Sequence, residues 1–147
     1  MDNYPALIVV TPLLAALFAG IAAWVEERLT SPIALIGMAV SMFSAYKVLM
    51  QVIGSGPIQY KMAGWMPPMG IELRIDLLNA VVLVLISAIA FFNLIASSKS
   101  IQQETPDRVG SFYTIYLLFV TGLLGVTATG DLFNLYVLIE ITSLTIY

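Results

Sequence analysis

The chain has 147 residues, 60% of them hydrophobic and 10% charged, and its 6 basic against 9 acidic side chains leave a formal charge of −3. A soluble domain carries roughly a quarter charged residues and about half apolar ones, so this composition excludes an ordinary globular domain, and the missing basic excess excludes a nucleic-acid surface. Cys and His are both absent, which excludes disulfides, thiolate or imidazole metal ligation, Fe–S or His-ligated haem and imidazole acid–base chemistry within the chain.

Apolar runs then follow one another along the chain. The first, Tyr4 to Trp24, stops at Glu26, Glu27 and Arg28. The second, Pro32 to Ile53, carries a single charge at Lys47. The third covers Leu77 to Ala96, the fourth Phe112 to Thr129 and the fifth Asp131 to Tyr147. A bilayer-crossing helix needs about 20 apolar residues, within a range of about 17–25. Four runs meet that, and the fifth sits at the short limit. A soluble bundle would need a charged face on most helices, and these runs have none. The expected fold is all-α and integral to the membrane, a single domain of about five transmembrane helices. Met1-Asp2-Asn3 lacks the positive charge of a signal peptide, so the first span is expected to be retained.

The connections differ in character. Val25 to Ser31 is short, as is Gly130 before the last run, and Ser97 to Gly110 is polar with Pro106 inside it. That third stretch reads as a solvated loop. Residues 54–76 show a period of two: Ile58, Tyr60 and Met62 alternate with Gln59, Lys61 and Ala63, and Ile71, Leu73 and Ile75 with Glu72, Arg74 and Asp76. With Pro67-Pro68-Met69-Gly70 between them, the two stretches predict a small extramembrane β-hairpin between helices 2 and 3. An isolated hairpin is marginal in water, so its apolar face is expected to rest on neighbouring helices or another subunit. The basic residues divide nearly evenly between the two sides, and the positive-inside rule assigns no orientation.

Lipid tails are as apolar as Leu, so helices in a bilayer associate through close contact and interhelical hydrogen bonds. Small residues recur every four positions in three runs: Ala15, Ala19 and Ala23; Gly37, Ser41 and Ala45; Thr121, Gly125 and Thr129. These stripes read as packing surfaces of a compact bundle. Asn79 and Asn93 read as interhelical hydrogen-bonding groups.

Glu140 is the charge that packing does not explain. It lies about 14 Å into the fifth run, counted from Asp131 at about 1.5 Å per residue. An acidic residue at that depth costs about 2.5–3.5 kcal/mol on insertion scales. Tyr136, Ser143 and Tyr147 stand at i−4, i+3 and i+7, on the same helical face. Hydroxyls above and below a carboxyl make a short polar track suited to holding water or passing protons. Desolvation raises the pKa of such a carboxyl and a nearby cation lowers it, so its charge can follow the movement of a partner. A relay carboxyl of this kind is expected to face protein, and one left pointing at lipid or bulk solvent would not serve as a relay. Lys47 reads either as snorkelling to the interface or as a basic partner for Glu140. Asp131, after Gly130, reads as the N-cap of the fifth helix. Glu72, Arg74 and Asp76 read as the wet side of the hairpin.

The stretch from Gly130 through Asp131, Leu132, Phe133, Asn134, Leu135, Tyr136, Val137, Leu138 and Ile139 to Glu140 resembles the fifth membrane helix of the antiporter-like subunits shared by respiratory complex I, membrane-bound hydrogenases and Mrp-type cation/proton antiporters. The pattern is most similar to the MrpD-like branch, as are Gly64-Trp65, Pro68-Met69-Gly70-Ile71-Glu72-Leu73 and Asp76. The resemblance runs along essentially the whole chain. It implies that Glu140 belongs to a proton-translocating unit and pairs with a Lys on a later, broken helix, which lies beyond Tyr147. It implies about fourteen spans in the family, so this chain corresponds to the N-terminal third of a subunit or to a split subunit. It further implies a multi-pass protein of a prokaryotic plasma membrane, with the N-terminus and hairpin outside and the 97–110 loop in the cytoplasm. Other membrane subunits, protons, sodium and the lipid bilayer are the implied partners.

Two other functions are weighed against ion translocation. A small proton-coupled multidrug exporter also uses one intramembrane Glu, but with four spans and the Glu in an early helix, whereas here it lies in the last. A purely structural membrane subunit would leave Glu140 dispensable. No nucleophile–base pair, metal cluster or phosphate-binding loop is present in the sequence. The chain is therefore expected to hold no catalytic site, cofactor or metal, and any oxidoreductase activity would belong to partner subunits.

Overall fold

A computed structural model describes residues 3–65, 70–104 and 106–147. Five α-helices follow in chain order: α1 Tyr4–Val25, α2 Thr30–Ser55, α3 Leu77–Glu104, α4 Val109–Ala128 and α5 Leu132–Ile146. Two strands, β1 Ile58–Lys61 and β2 Glu72–Ile75, lie between α2 and α3. Helices α1 to α4 are long and apolar enough to cross a membrane, α2 together with the short 3₁₀ turn at Glu27–Leu29 before it and α4 with the one at Pro106–Arg108. The 15 residues of α5 span about 22 Å, some three quarters of a hydrocarbon core of about 30 Å.

The first four helices close into a ring. Each packs on its sequence neighbour, and α1 returns to α4. The interior is built from small residues, as a bilayer demands: Ala15, Ala16, Ala19, Ala34, Ala45, Ala80, Ala90 and Ala128 are all buried. Between them lie Ile8, Met38, Leu83, Tyr113, Leu117 and Leu124. The stripes expected from the sequence are where helices touch. A Cβ on Gly37 of α2 would collide with that of Ala15 of α1, and one turn on, the buried Ser41 hydroxyl donates to the Ile8 carbonyl at 2.7 Å. Large apolar side chains such as Leu17, Phe18, Ile21, Ile36 and Ile89 point outwards, which is the surface a lipid-facing bundle presents.

The hairpin forms as expected where the structure describes it; the Pro67-Pro68-Met69 turn lies outside the described residues. β1 and β2 pair antiparallel, with Ile58 opposite Ile75, Tyr60 opposite Leu73 and Lys61 opposite Glu72. Leu73 and Ile75 are fully buried against the helix ends, while Gln59, Lys61 and Arg74 are exposed. Tyr60 donates its hydroxyl to the Asn3 side chain at 3.0 Å, which ties the hairpin to the start of α1.

Three expectations change. The solvated loop at 97–110 is mostly helix: α3 runs on to Glu104 and α4 starts at Val109. Ser98, Lys99, Gln102, Gln103 and Glu104 are polar but contain no helix breaker, so α3 continues past the apolar zone. Asp76 is less a wet strand residue than a helix cap, accepting from the Asn79 backbone N–H at 2.8 Å. Asn79 accordingly makes local bonds, its amide reaching the Arg74 carbonyl at 3.3 Å. Asn93 does bridge helices, from α3 to the Tyr116 hydroxyl of α4 at 3.2 Å.

Candidate functional site

The site grows out of the link between α4 and α5. Thr129 bridges to Leu73 of β2, and Gly130 donates its N–H to the Glu72 carbonyl at 2.9 Å. The link therefore acts as a third, very short strand on the hairpin's inner edge. Asp131 then starts α5: its carboxylate accepts from the Phe133 N–H at 3.1 Å, the N-cap geometry expected from the sequence. The Asn134 amide donates back to the Thr129 hydroxyl at 3.0 Å. Thr129, Gly130, Asp131 and Asn134 thus set the position and direction of α5. The junction roles of Thr129 and Asn134 were not read from the sequence, although the compact Thr-Gly-Asp run before an apolar helix is the signal for them.

α5 is held principally by α4. Leu138, buried, lies over Gly125, and Thr142 over Gly122; a Cβ on either glycine would collide with them. The opposite face of α5 is open. Tyr136, Glu140, Ser143 and Tyr147 all lie on it and are all exposed, so the polar track on one helix face is present as a row. Tyr136 lies close enough to the Glu140 carboxylate, one turn on, for the two side chains to interact. Glu140 stands about 12 Å along the helix from Leu132. No described Lys or Arg forms an ion pair with it.

Two placements differ from the sequence-based expectation. The helices of this chain do not enclose Glu140, because Gly122 and Gly125 draw the Leu138–Thr142 face of α5 inwards and turn the carboxylate out. Nor does the chain bring Lys47 to it. Lys47 is exposed on α2, its Nζ 5.4 Å from the centroid of the Phe43 ring, and α5 seats on α4 rather than on α2.

On the inner side of α5, an apolar crevice of about 210 Å³ separates it from α1 and the hairpin, with Val9, Leu13, Leu73, Thr121 and Asn134 among its walls. The arrangement is a closed four-helix support carrying one further apolar helix, whose outward face bears a carboxylate and hydroxyls.

No family model matches the chain. Among curated proteins it is 40% identical, over 99% of its own length and 29% of the relative's, to the NADH-quinone oxidoreductase subunit N of Desulforudis audaxviator. It is 34% identical, over 95% of its length and 28% of the relative's, to the putative antiporter subunit mnhD2 of Staphylococcus haemolyticus. Among solved structures it superposes on a chain of the membrane-bound sulfane sulfur reductase, an archaeal respiratory membrane complex, with a TM-score of 0.87 and 30% identity, covering 98% of this chain and 29% of that one. The chain thus spans less than a third of the length of the relatives it matches.

Proposed function

The chain belongs with the antiporter-like membrane subunits, to which it is related over 99% of its own length, and from that premise we propose that it contributes the intramembrane carboxylate of a proton- or cation-translocating unit. It is a multi-pass plasma-membrane protein. The observation that carries the proposal is Glu140, the one described carboxylate within an apolar helix away from its ends, standing beside Tyr136 on a face that the chain's own helices leave uncovered.

An ionised carboxylate facing hydrocarbon is strongly disfavoured, and intramembrane acids face a bundle interior or a watered cavity. The Glu140 face of α5 is therefore read as a contact with further membrane helices, which supply the basic partner and screen the site from lipid. In that enclosure the carboxylate takes a proton when the cation withdraws and releases it when the cation approaches. Tyr136, with Ser143 and Tyr147 on the far side, supplies hydroxyls that hand the proton along the face. Asp131 has a different task in this reading: it fixes the start of α5 and so the depth of Glu140.

The names of the relatives join two settings, antiporter subunits and quinone-linked oxidoreductases. Ion movement is common to both readings, and electron transfer would lie in other subunits.

The test is ion transport by the assembled complex in proteoliposomes, followed with a pH-sensitive dye. Glu140→Gln keeps shape and removes titration, and it is expected to abolish proton-coupled transport while the complex assembles normally. Tyr136→Phe is expected to slow transport without abolishing it. Transport by Glu140→Gln at the parental rate would end the relay reading.

A further inference from the structure

Proline inside a helix leaves one carbonyl without its donor, because the ring nitrogen carries no hydrogen for the residue four positions back. Pro12 stands inside α1 and is buried, so the carbonyl it leaves open is that of Ile8. Ile8 is itself fully buried, which keeps water from the gap. A buried backbone carbonyl with no partner costs free energy comparable to a lost hydrogen bond.

The missing donor comes from another helix. The Ser41 hydroxyl of α2, also fully buried, donates to the Ile8 carbonyl at 2.7 Å. Among the described buried serines and threonines, Ser41 stands apart in this. Thr30, Ser44, Ser87 and Thr121 each donate to a carbonyl three or four residues back in their own stretch of chain, the common habit of a helical Ser or Thr. The carbonyl four residues back from Ser41 is that of Gly37, and Thr11 of α1 reaches it instead, at 3.3 Å. Gly37 also explains how so short a side chain spans the gap. A Cβ at that position would collide with Ala15, so its absence lets the two backbones draw close.

We propose that Pro12, Gly37 and Ser41 form a latch between α1 and α2, in which the Ser41 hydroxyl replaces the backbone bond that Pro12 removes and holds residues 4–11 of α1 in line with the rest of the helix. That segment meets the hairpin through Asn3 and Tyr60 and lines the crevice beside α5 with Val9, so the latch fixes both. Its partners belong to this chain and are buried within it, so it does not depend on what lies against the bundle. It is also independent of any role for Glu140.

A double-mutant cycle tests the latch, read by the thermal unfolding midpoint of the whole protein and by amide hydrogen exchange across residues 4–11. Ser41→Ala leaves the Ile8 carbonyl bare and is expected to lower the midpoint and to speed that exchange. Pro12→Ala restores a backbone N–H for Ile8 and improves helix propensity. In the Pro12→Ala background, Ser41→Ala is expected to lower the midpoint by less than half as much and to leave exchange across residues 4–11 at the parental rate. Should Ser41→Ala alone fail to accumulate, the double variant is expected to recover, and its failure to do so would overturn the proposal. Ser44→Ala, which removes a hydroxyl bonded within α2, is the control and is expected to show no coupling to Pro12→Ala. Equal effects of Ser41→Ala in both backgrounds, unchanged exchange in Ser41→Ala, or equally strong coupling for Ser44→Ala would each overturn it.

Discussion

Gly130 and Glu72 share a backbone hydrogen bond of 2.9 Å that fastens the start of α5 to the surface hairpin. A Cβ at position 130 would stand 2.8 Å from the Cβ of Arg74, so the two backbones meet only because this residue has no side chain.

Gly130→Ala is therefore expected to cost about 1–3 kcal/mol, the usual range for forcing an extra methyl into a packed site. Gly130→Val should cost more. Thermal unfolding of the purified protein in detergent measures this, with the fluorescence of Trp65, on the same side of the membrane, as a local reporter. An unchanged midpoint would show that the link is free to move away from β2.

Asp131 accepts from the Phe133 N–H, a bond that Asn can also accept. Asp131→Ala is expected to lose about 1 kcal/mol of stability. Asp131→Asn should keep both stability and transport. If the Asn variant folds normally but fails to move ions, the charge itself is needed and the capping assignment is incomplete.

The Asn93 amide donates to the Tyr116 hydroxyl, which in turn reaches the Ala90 carbonyl, both at 3.2 Å. Hydrogen bonds between membrane helices couple by about 0.6 kcal/mol on average and up to about 1.7 kcal/mol. A double-mutant cycle of Asn93→Leu and Tyr116→Phe should return a coupling within that range. Strict additivity would mean that α3 and α4 are joined by packing alone.

Much of the architecture was legible in the sequence because hydropathy and charge mark where a helix leaves the bilayer. Tyr4 to Trp24 and Leu77 to Ala96 fall within the observed helices for that reason. The alternation of Ile58 and Tyr60 with Gln59 and Lys61 revealed the hairpin because side chains of a strand point to opposite faces in turn, and here only one face is covered. The end of α3 was hidden because Ser98 to Glu104 is polar apart from the buried Ile101, and hydropathy cannot separate a helix in water from a loop. The orientation of Glu140 was hidden by a different circumstance. Helical spacing puts Tyr136, Glu140, Ser143 and Tyr147 in one row but does not say which way the row points. That depends on Gly122 and Gly125 of α4 accepting Thr142 and Leu138, a choice made between helices.

Ring closure also bears on how the chain is made. α2 and α3 can each settle on a neighbour that has already left the ribosome, but Gly20 and Ala23 of α1 meet their counterparts, Thr114 and Gly110, only when α4 arrives. Until then one flank of the nascent helix trio has nothing but lipid to lean on. The fourth insertion acts as a keystone, and α5 has no principal seat before it is in place. A ribosome stalled before α4 would therefore release an open trio, recognisable by quality-control proteases as unfinished work.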